Sequence, residues 1–208
     1  MNISDLFTNP VLAARIKDRL PEFFYLAELE SSRAGRAGME VGSARERVII
    51  GLLIYVFGQQ NVISDLPITE AEVDAIVLGT PISIKSITRA RLGGIKLIWT
   101  VDQAKAMAFI NTYRPVCDMM LIQINWEKSG GIYYFTQRSQ QAILNRIGRE
   151  QYFIGPKPGT NPRGVEISAT ALNWLVNAND TMHLPIQWNR QVVNYNPYER
   201  WVELWERK

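Results

Sequence analysis

Apolar residues recur at helical spacing over 11–30, VLAARIKDRLPEFFYLAELE, with Pro21 inside the run, so the pattern predicts two helices or one kinked helix. A polar stretch, SSRAGRAGMEVGSARER (31–47), breaks the rhythm, and the apolar run VIIGLLIYVFG follows at once. This predicts a loop over 31–42 and a helix from about Ser43 to Phe57, stopped by Gly58. Beyond it the period shortens to two. EVDAIVL (72–78) and ISIKSIT (82–88) read as strands around a GTP turn at 79–81, and GIKLIWT (94–100) as a third. CDMMLIQINW (117–126) and GIYYFTQ (131–137) read as two more, joined by a turn containing Gly130 and Gly131. Helices are expected over 102–113, 138–148 and 168–177, and GPKPGTNPRG (155–164) is loop, either a linker or a surface excursion. The tail YERWVELWERK predicts a short amphipathic helix with Trp201 and Trp205 one turn apart, expected to pack as a stripe on the core. Helices flanking a central mixed sheet make this an α/β (α+β) fold.

Composition narrows the picture. A chain of 208 residues, 47% hydrophobic, can bury one good core, so one domain over 1–208 is expected. The net charge is +3 and the pI about 9.0, a mild hint of an anionic partner that the clustering of arginines strengthens. A single cysteine, Cys117, excludes an internal disulfide and, with no leader pattern at the start, suggests a reducing, cytoplasmic setting. The longest apolar run, Val48 to Phe57, is too short to span a bilayer, so no membrane partner is expected. With one histidine, His183, a His/Cys zinc site is improbable, and any metal would be held by oxygen, as magnesium or calcium is.

The candidate chemistry lies in VDAIVLGTPISIKSIT (73–88). Strand alternation points Ile82, Ile84 and Ser86 one way and Ser83, Lys85 and Ile87 the other. A lysine in such an apolar strand needs an anion opposite it, and Asp74 is the obvious one. A plain Asp–Lys salt bridge would satisfy both residues. Glu46 widens the possibilities, because it heads the helical row Glu46, Ile49, Ile50, Leu53, Phe57, in which no other residue is charged. It also fits an S-x-x-E capping box with Ser43, which would turn it back on its own helix. Two carboxylates for a hard cation and one ammonium suit phosphodiester hydrolysis.

An acidic residue, a turn and an x-I-K strand resemble the PD-(D/E)XK nuclease core, and PISIKSIT is similar to the lysine strand of many type II restriction endonucleases. Ser83 stands where that motif has its second acid, and Val73 rather than proline precedes Asp74. In this superfamily the missing acid can come from the preceding helix, which is where Glu46 lies. The resemblance implies a restriction-endonuclease-like core, with Glu46, Asp74 and Lys85 as catalytic residues and Glu46 and Asp74 holding Mg2+. The spacing of the three residues together with the loop RAGRAGME resembles one restriction endonuclease in particular. That implies blunt cleavage of double-stranded DNA at the palindrome CGCG, a homodimer to cut both strands, 5′-phosphate ends, and a cognate DNA methyltransferase as a functional, not physical, partner. The literal match ERK (206–208), in the predicted tail helix, and Asp65 before Leu66 and Pro67 carry no such context.

Arg33, Arg36, Arg45 and Arg47 precede or open the Glu46 helix, and Ser86, Arg89 and Arg91 lie on or after the lysine strand. They are the candidate DNA contacts, since arginines supply phosphate affinity and read guanine edges; a solvated basic face is the plain alternative. Met39, among Gly35, Gly38 and Gly42, is a candidate wedge between base pairs, with loop filler as the alternative. A structure-specific or repair nuclease of the same core, or a non-catalytic DNA-binding protein, would show many of the same features.

Overall fold

A computed structural model describes residues 1–33, 36–37, 40–67, 72–155 and 164–207, with backbone alone at 33, 36 and 37. Met39 and most of the expected loop at 155–164 lie outside the described residues. The first half holds α1 (Asp5–Thr8), α2 (Pro10–Glu30), a ribbon of β1 (Ser32–Arg33) and β2 (Arg36–Ala37), α3 (Val41–Phe57), β3 (Val62–Ile63), β4 (Ala75–Val77), β5 (Thr80–Thr88) and β6 (Ile95–Ile98). Then come α4 (Gln103–Thr112), β7 (Asp118–Ile124), β8 (Lys128–Phe135), α5 (Gln137–Ile147), α6 (Arg149–Tyr152), β9 (Phe153–Ile154), β10 (Val165–Ile167), α7 (Ala169–Val176), β11 (Met182–Trp188) and α8 (Glu199–Glu206).

Six strands form the central sheet in the order β11-β8-β7-β5-β4-β3. All neighbours are antiparallel except β5 and β7, which run parallel, so the sheet is mixed as expected. Parallel pairing requires a long crossover, and β6 and α4 occupy it. β6, β10 and β9 make a second, antiparallel sheet. β7 is buried on both faces, with Met120, Ile122 and Ile124 in one core and Met119 and Leu121 in the other. The first core lies under α1, α2 and α3; the second lies under α5, α7 and the small sheet.

The helix that carries Pro21 is continuous. Asn9 caps it, accepting bonds from the Val11 and Leu12 amides, and Pro10 fills the first position. Pro21 itself is buried with Leu20 and Phe24, and that packing holds the helix through the missing hydrogen bond. The β4–β5 turn falls at Leu78–Gly79, φ 52° and 82°, rather than at 79–81. Positive φ at both central residues gives a two-residue turn that matches strand twist. Gly130 and Gly131 are inside β8, not in a turn: a side chain there would strike the backbone oxygens of Gln123 and Leu184 on the neighbouring strands. The reversal itself uses Glu127, at φ 63°.

α2 and α3 are joined by a buried ion pair. Arg45, 6% exposed, bonds Glu28, which also accepts from Trp126 Nε1 at 2.9 Å and lies 3.9 Å from Arg190. The face of α3 that Arg45 occupies therefore turns inward, which corrects the expectation that this arginine reaches DNA. α8 departs from expectation too: all eight of its residues are exposed, Trp201 at 57% and Trp205 at 89%, so its stripe does not pack on the core. No helix among the described residues is long and apolar enough to cross a membrane.

Arg45→Ala should destabilise the fold by about 3 kcal/mol, the low end for breaking a buried pair, because Arg190 remains near Glu28. Chemical denaturation measures this. An unchanged midpoint would show that the pair does not hold α2 to α3.

Candidate active site

Asp74 and Lys85 pair across β4 and β5, and α3, which packs on both strands, brings Glu46 within electrostatic reach of the two. Lys85 lies mid-strand on β5, opposite Leu121 of β7, on the face shared with Ser83. Asp74 immediately precedes β4, and its amide donates to Ile82 O at 2.9 Å, which fixes it beside β5. Its carboxylate is then clamped. Oδ2 accepts from the Ile84 amide at 2.6 Å, from Ser83 Oγ at 3.3 Å and from Lys85 Nζ at 3.3 Å. Among the described residues no hydrogen bond reaches Oδ1. Ser83, in the position of the missing acid, thus serves as a donor to the acid that is present.

Glu46 enters from α3. The helix starts at Val41, so Ser43 is already inside it and the capping box is not formed; the cap position is Glu40, with no side-chain bond. Ile49, Leu53 and Phe57, one, two and three turns on, are buried, and they aim the Glu46 face at the sheet. Its carboxyl is raised above the usual range, first by burial and then by the charge of Asp74, while Lys85 and Arg47 oppose the rise. The close electrostatic coupling of Glu46 to both Asp74 and Lys85 is the pattern expected of one site.

A third acid, Glu72, escaped the sequence reading. It accepts a short hydrogen bond from the Tyr113 hydroxyl, and burial raises it above the usual carboxylate range even though Tyr113 and Lys85 favour its ionised form. The available signal was parity: Glu72 is two residues before Asp74 and so shares its face of an extended chain. Cys117, whose thiol burial pushes up to about 12, closes the floor behind Glu72.

Two carboxylates in unlike settings, one clamped on a single oxygen and one desolvated, fit a hard divalent cation: the donors are all oxygen, and ionised Glu46 and Asp74 repel one another without a cation between them. Among the described residues no three His, Cys, Asp or Glu side chains converge on one ion position, so water and phosphate would complete the shell.

A cleft of about 450 Å³ runs from Lys85 along Ser86, Thr88 and Arg89 to Lys96 and Glu166. Ser86 is half-buried; Arg47, Arg89 and Arg91 are exposed. Arg89 is fixed through its backbone: its amide donates to Ile124 O at 3.0 Å and its carbonyl accepts from Gln123 Nε2 at 3.2 Å. Arg33 and Arg36 pair across the β1–β2 ribbon just before α3.

The raised Glu46 carboxyl has a consequence for stability. It ionises at higher pH in the folded chain than in the unfolded one, so its charge withdraws stability as pH rises from the ordinary value of 4.5 through the folded value, and withdraws none below. Glu46→Gln should therefore melt above the parent at about pH 8 in chelator, and the two should converge at about pH 4. A variant that melts lower at alkaline pH would mean that the carboxylate is stabilised, not strained, by its surroundings.

The geometry can be set beside known proteins. The family model "Restriction endonuclease ThaI" matches residues 6–207. A solved structure described as a restriction endonuclease in complex with substrate DNA is 52% identical in sequence; the match covers 98% of each chain with a TM-score of 0.92. A search of curated proteins returned no match. The mixed sheet flanked by helices is accordingly that of a restriction endonuclease, and this chain belongs to the ThaI restriction endonuclease family, whose members are site-specific deoxyribonucleases.

Proposed function

We propose that this restriction endonuclease hydrolyses double-stranded DNA at the palindrome CGCG, bluntly, as a magnesium-dependent homodimer through a PD-(D/E)XK-type site made of Glu46, Asp74 and Lys85. The observation that carries the reading is the triple clamp on Asp74 Oδ2, which brings Lys85 to 3.3 Å from the carboxylate, with Glu46 on α3 within electrostatic reach of both. The specificity and the cut position follow from the likeness to ThaI; the dimer follows from the two-fold symmetry of a palindrome. The DNA-bound relative supports duplex DNA as the partner.

Glu46 and the free oxygen of Asp74 would hold the cation, which polarises the scissile phosphate and the attacking water when bound. The Ile84 amide and Ser83 hydroxyl keep Asp74 oriented. Lys85 donates to the attacking water and a phosphate oxygen, aligning the water opposite the 3′ oxygen and offsetting the charge that grows on phosphorus. The water oxygen bonds to phosphorus and gives up a proton to solvent, the P–O3′ bond breaks, and the 3′ oxygen leaves with a proton from solvent, giving 5′-phosphate and 3′-hydroxyl ends. Ser86 and Arg89 line the cleft and would meet the phosphates, with Arg91 after β5, Arg47 on α3 and Arg33 and Arg36 on the ribbon as further candidate contacts. The cognate methyltransferase would protect host DNA without touching this chain.

A plasmid digest with magnesium, the ends read by sequencing, should give blunt cuts within CGCG and none in chelator. Cuts confined to branched or damaged DNA would favour a repair nuclease, and no cuts a binding protein. Lys85→Ala should lose at least about 10²-fold in cleavage, the scale of one electrostatic catalytic group, and keep DNA affinity within about tenfold. Cleavage near the parental rate would remove Lys85 from the mechanism.

Met39, read as a wedge between stacked base pairs, has its own test. Met39→Ala should weaken DNA binding by about 1–3 kcal/mol and leave the melting temperature unchanged. A fluorescent base analogue at the central step should respond to the parent and not to the variant; equal responses would rule out intercalation.

A further inference from the structure

Ten residues, Asn189 to Tyr198, lead from the buried Trp188 to α8 without helix or strand. α8 then places Trp201, Val202, Leu204 and Trp205 on one side and Glu199, Glu203 and Glu206 on the other, with every one of these side chains exposed. A helix of eight residues is below the length that holds in water by itself, roughly 12–15 residues. An amphipathic helix this short needs a surface to lie on.

The chain carries an uncovered surface of the right kind. Between α2 and α3 runs an apolar groove of about 1020 Å³, at the upper end of the ~300–1,000 Å³ typical of ligand pockets. Leu20, Phe23, Leu26, Val48, Leu52 and Tyr55 line it. Gly51 deepens its floor, with nothing within 4 Å of the place a Cβ would occupy. Arg15, Arg19 and Arg47 stand at its edges with Asp18 and Glu30, so the rim is net positive, while α8, with Glu199, Glu203, Glu206 and Arg200, is net negative.

We propose that the two copies of the homodimer exchange arms: α8 of each lies in the α2–α3 groove of the other, with Trp201 and Trp205 as anchors and the α8 glutamates against the rim arginines. The exchange rests on the dimer reading above. Because α3 also carries Glu46, the partner's arm would brace the helix that supplies one carboxylate of the site.

The test uses the full chain. Trp201→Ser with Trp205→Ser removes only exposed side chains, so melting should be unchanged while the dimer dissociation constant by sedimentation rises at least about tenfold, as for loss of an interface anchor. Mixing a Gly51→Cys chain with a Val202→Cys chain under mild oxidation should give a disulfide-linked pair. Carrying both substitutions on one chain should likewise give linked pairs rather than an internally closed monomer. Internal closure would mean that the arm folds onto its own groove, and would overturn the proposal. A parent and tryptophan variant that dimerise equally would overturn it too, leaving the dimer itself intact on another surface. A parent monomeric both free and on CGCG duplex would remove the dimer reading, and the exchange with it.

Discussion

The clamp on Asp74 is the constraint from which the site follows. A half-buried carboxylate must be matched by donors, and the nearest are set by the β4–β5 hairpin: one backbone amide, one hydroxyl and one ammonium, all from consecutive residues of β5. Satisfying the acid therefore also fixes the lysine. β5 can offer those donors on one side because its other side, through Ile82 and Ile84, is committed to the core under α2 and α3. The packing of α3 on that same core brings Glu46 to the hairpin. Geometry at the site is thus a by-product of how two apolar faces are buried.

Much of this was legible in the sequence, because its strongest signals are periodic. Alternation along 82–88 assigned the faces of Lys85 and Ser83 correctly, and Gly58 marked the end of α3. What failed to show were features decided by contacts distant in sequence. Pro21 leaves two helices and one kinked helix both open, and the sheet beneath α2 decides for a single helix. Gly130 and Gly131 read as a turn, yet they are flat places where two strands come close. Arg45 looked like its exposed neighbour Arg47; only the position of Glu28, seventeen residues earlier, separates them. The capping box failed by three residues, the cap falling at Glu40 rather than Ser43, since helix starts respond to the chain before them as well as to the cap. Glu72 carried a parity signal that a motif with one leading acid conceals.

The electrostatics of the cluster set function against stability. Glu46, Glu72 and Asp74 gather around one ammonium, so burial is compensated only in part, and two of the acids titrate late as a result. Such under-compensation is tolerable where a cation is to be received, and it would be a defect anywhere else in the core. The Tyr113 hydroxyl donates to Glu72, so that acid already has a partner within the protein.

The parallel pairing of β5 with β7 has a consequence in time. The hairpin joining Ala75–Val77 to Thr80–Thr88 is local and can close within about 1–10 μs once it leaves the ribosome. Its other edge must wait for Asp118–Ile124, at least thirty residues later in synthesis, because Ile82 pairs with Asp118 and Thr88 with Ile124. During translation, at about 5–20 residues per second, the aspartate and lysine are already neighbours while the strand that seats them is still missing. The nascent chain thus carries its charged pair in a solvated hairpin, and burial of the pair coincides with the slow, long-range step that completes the sheet.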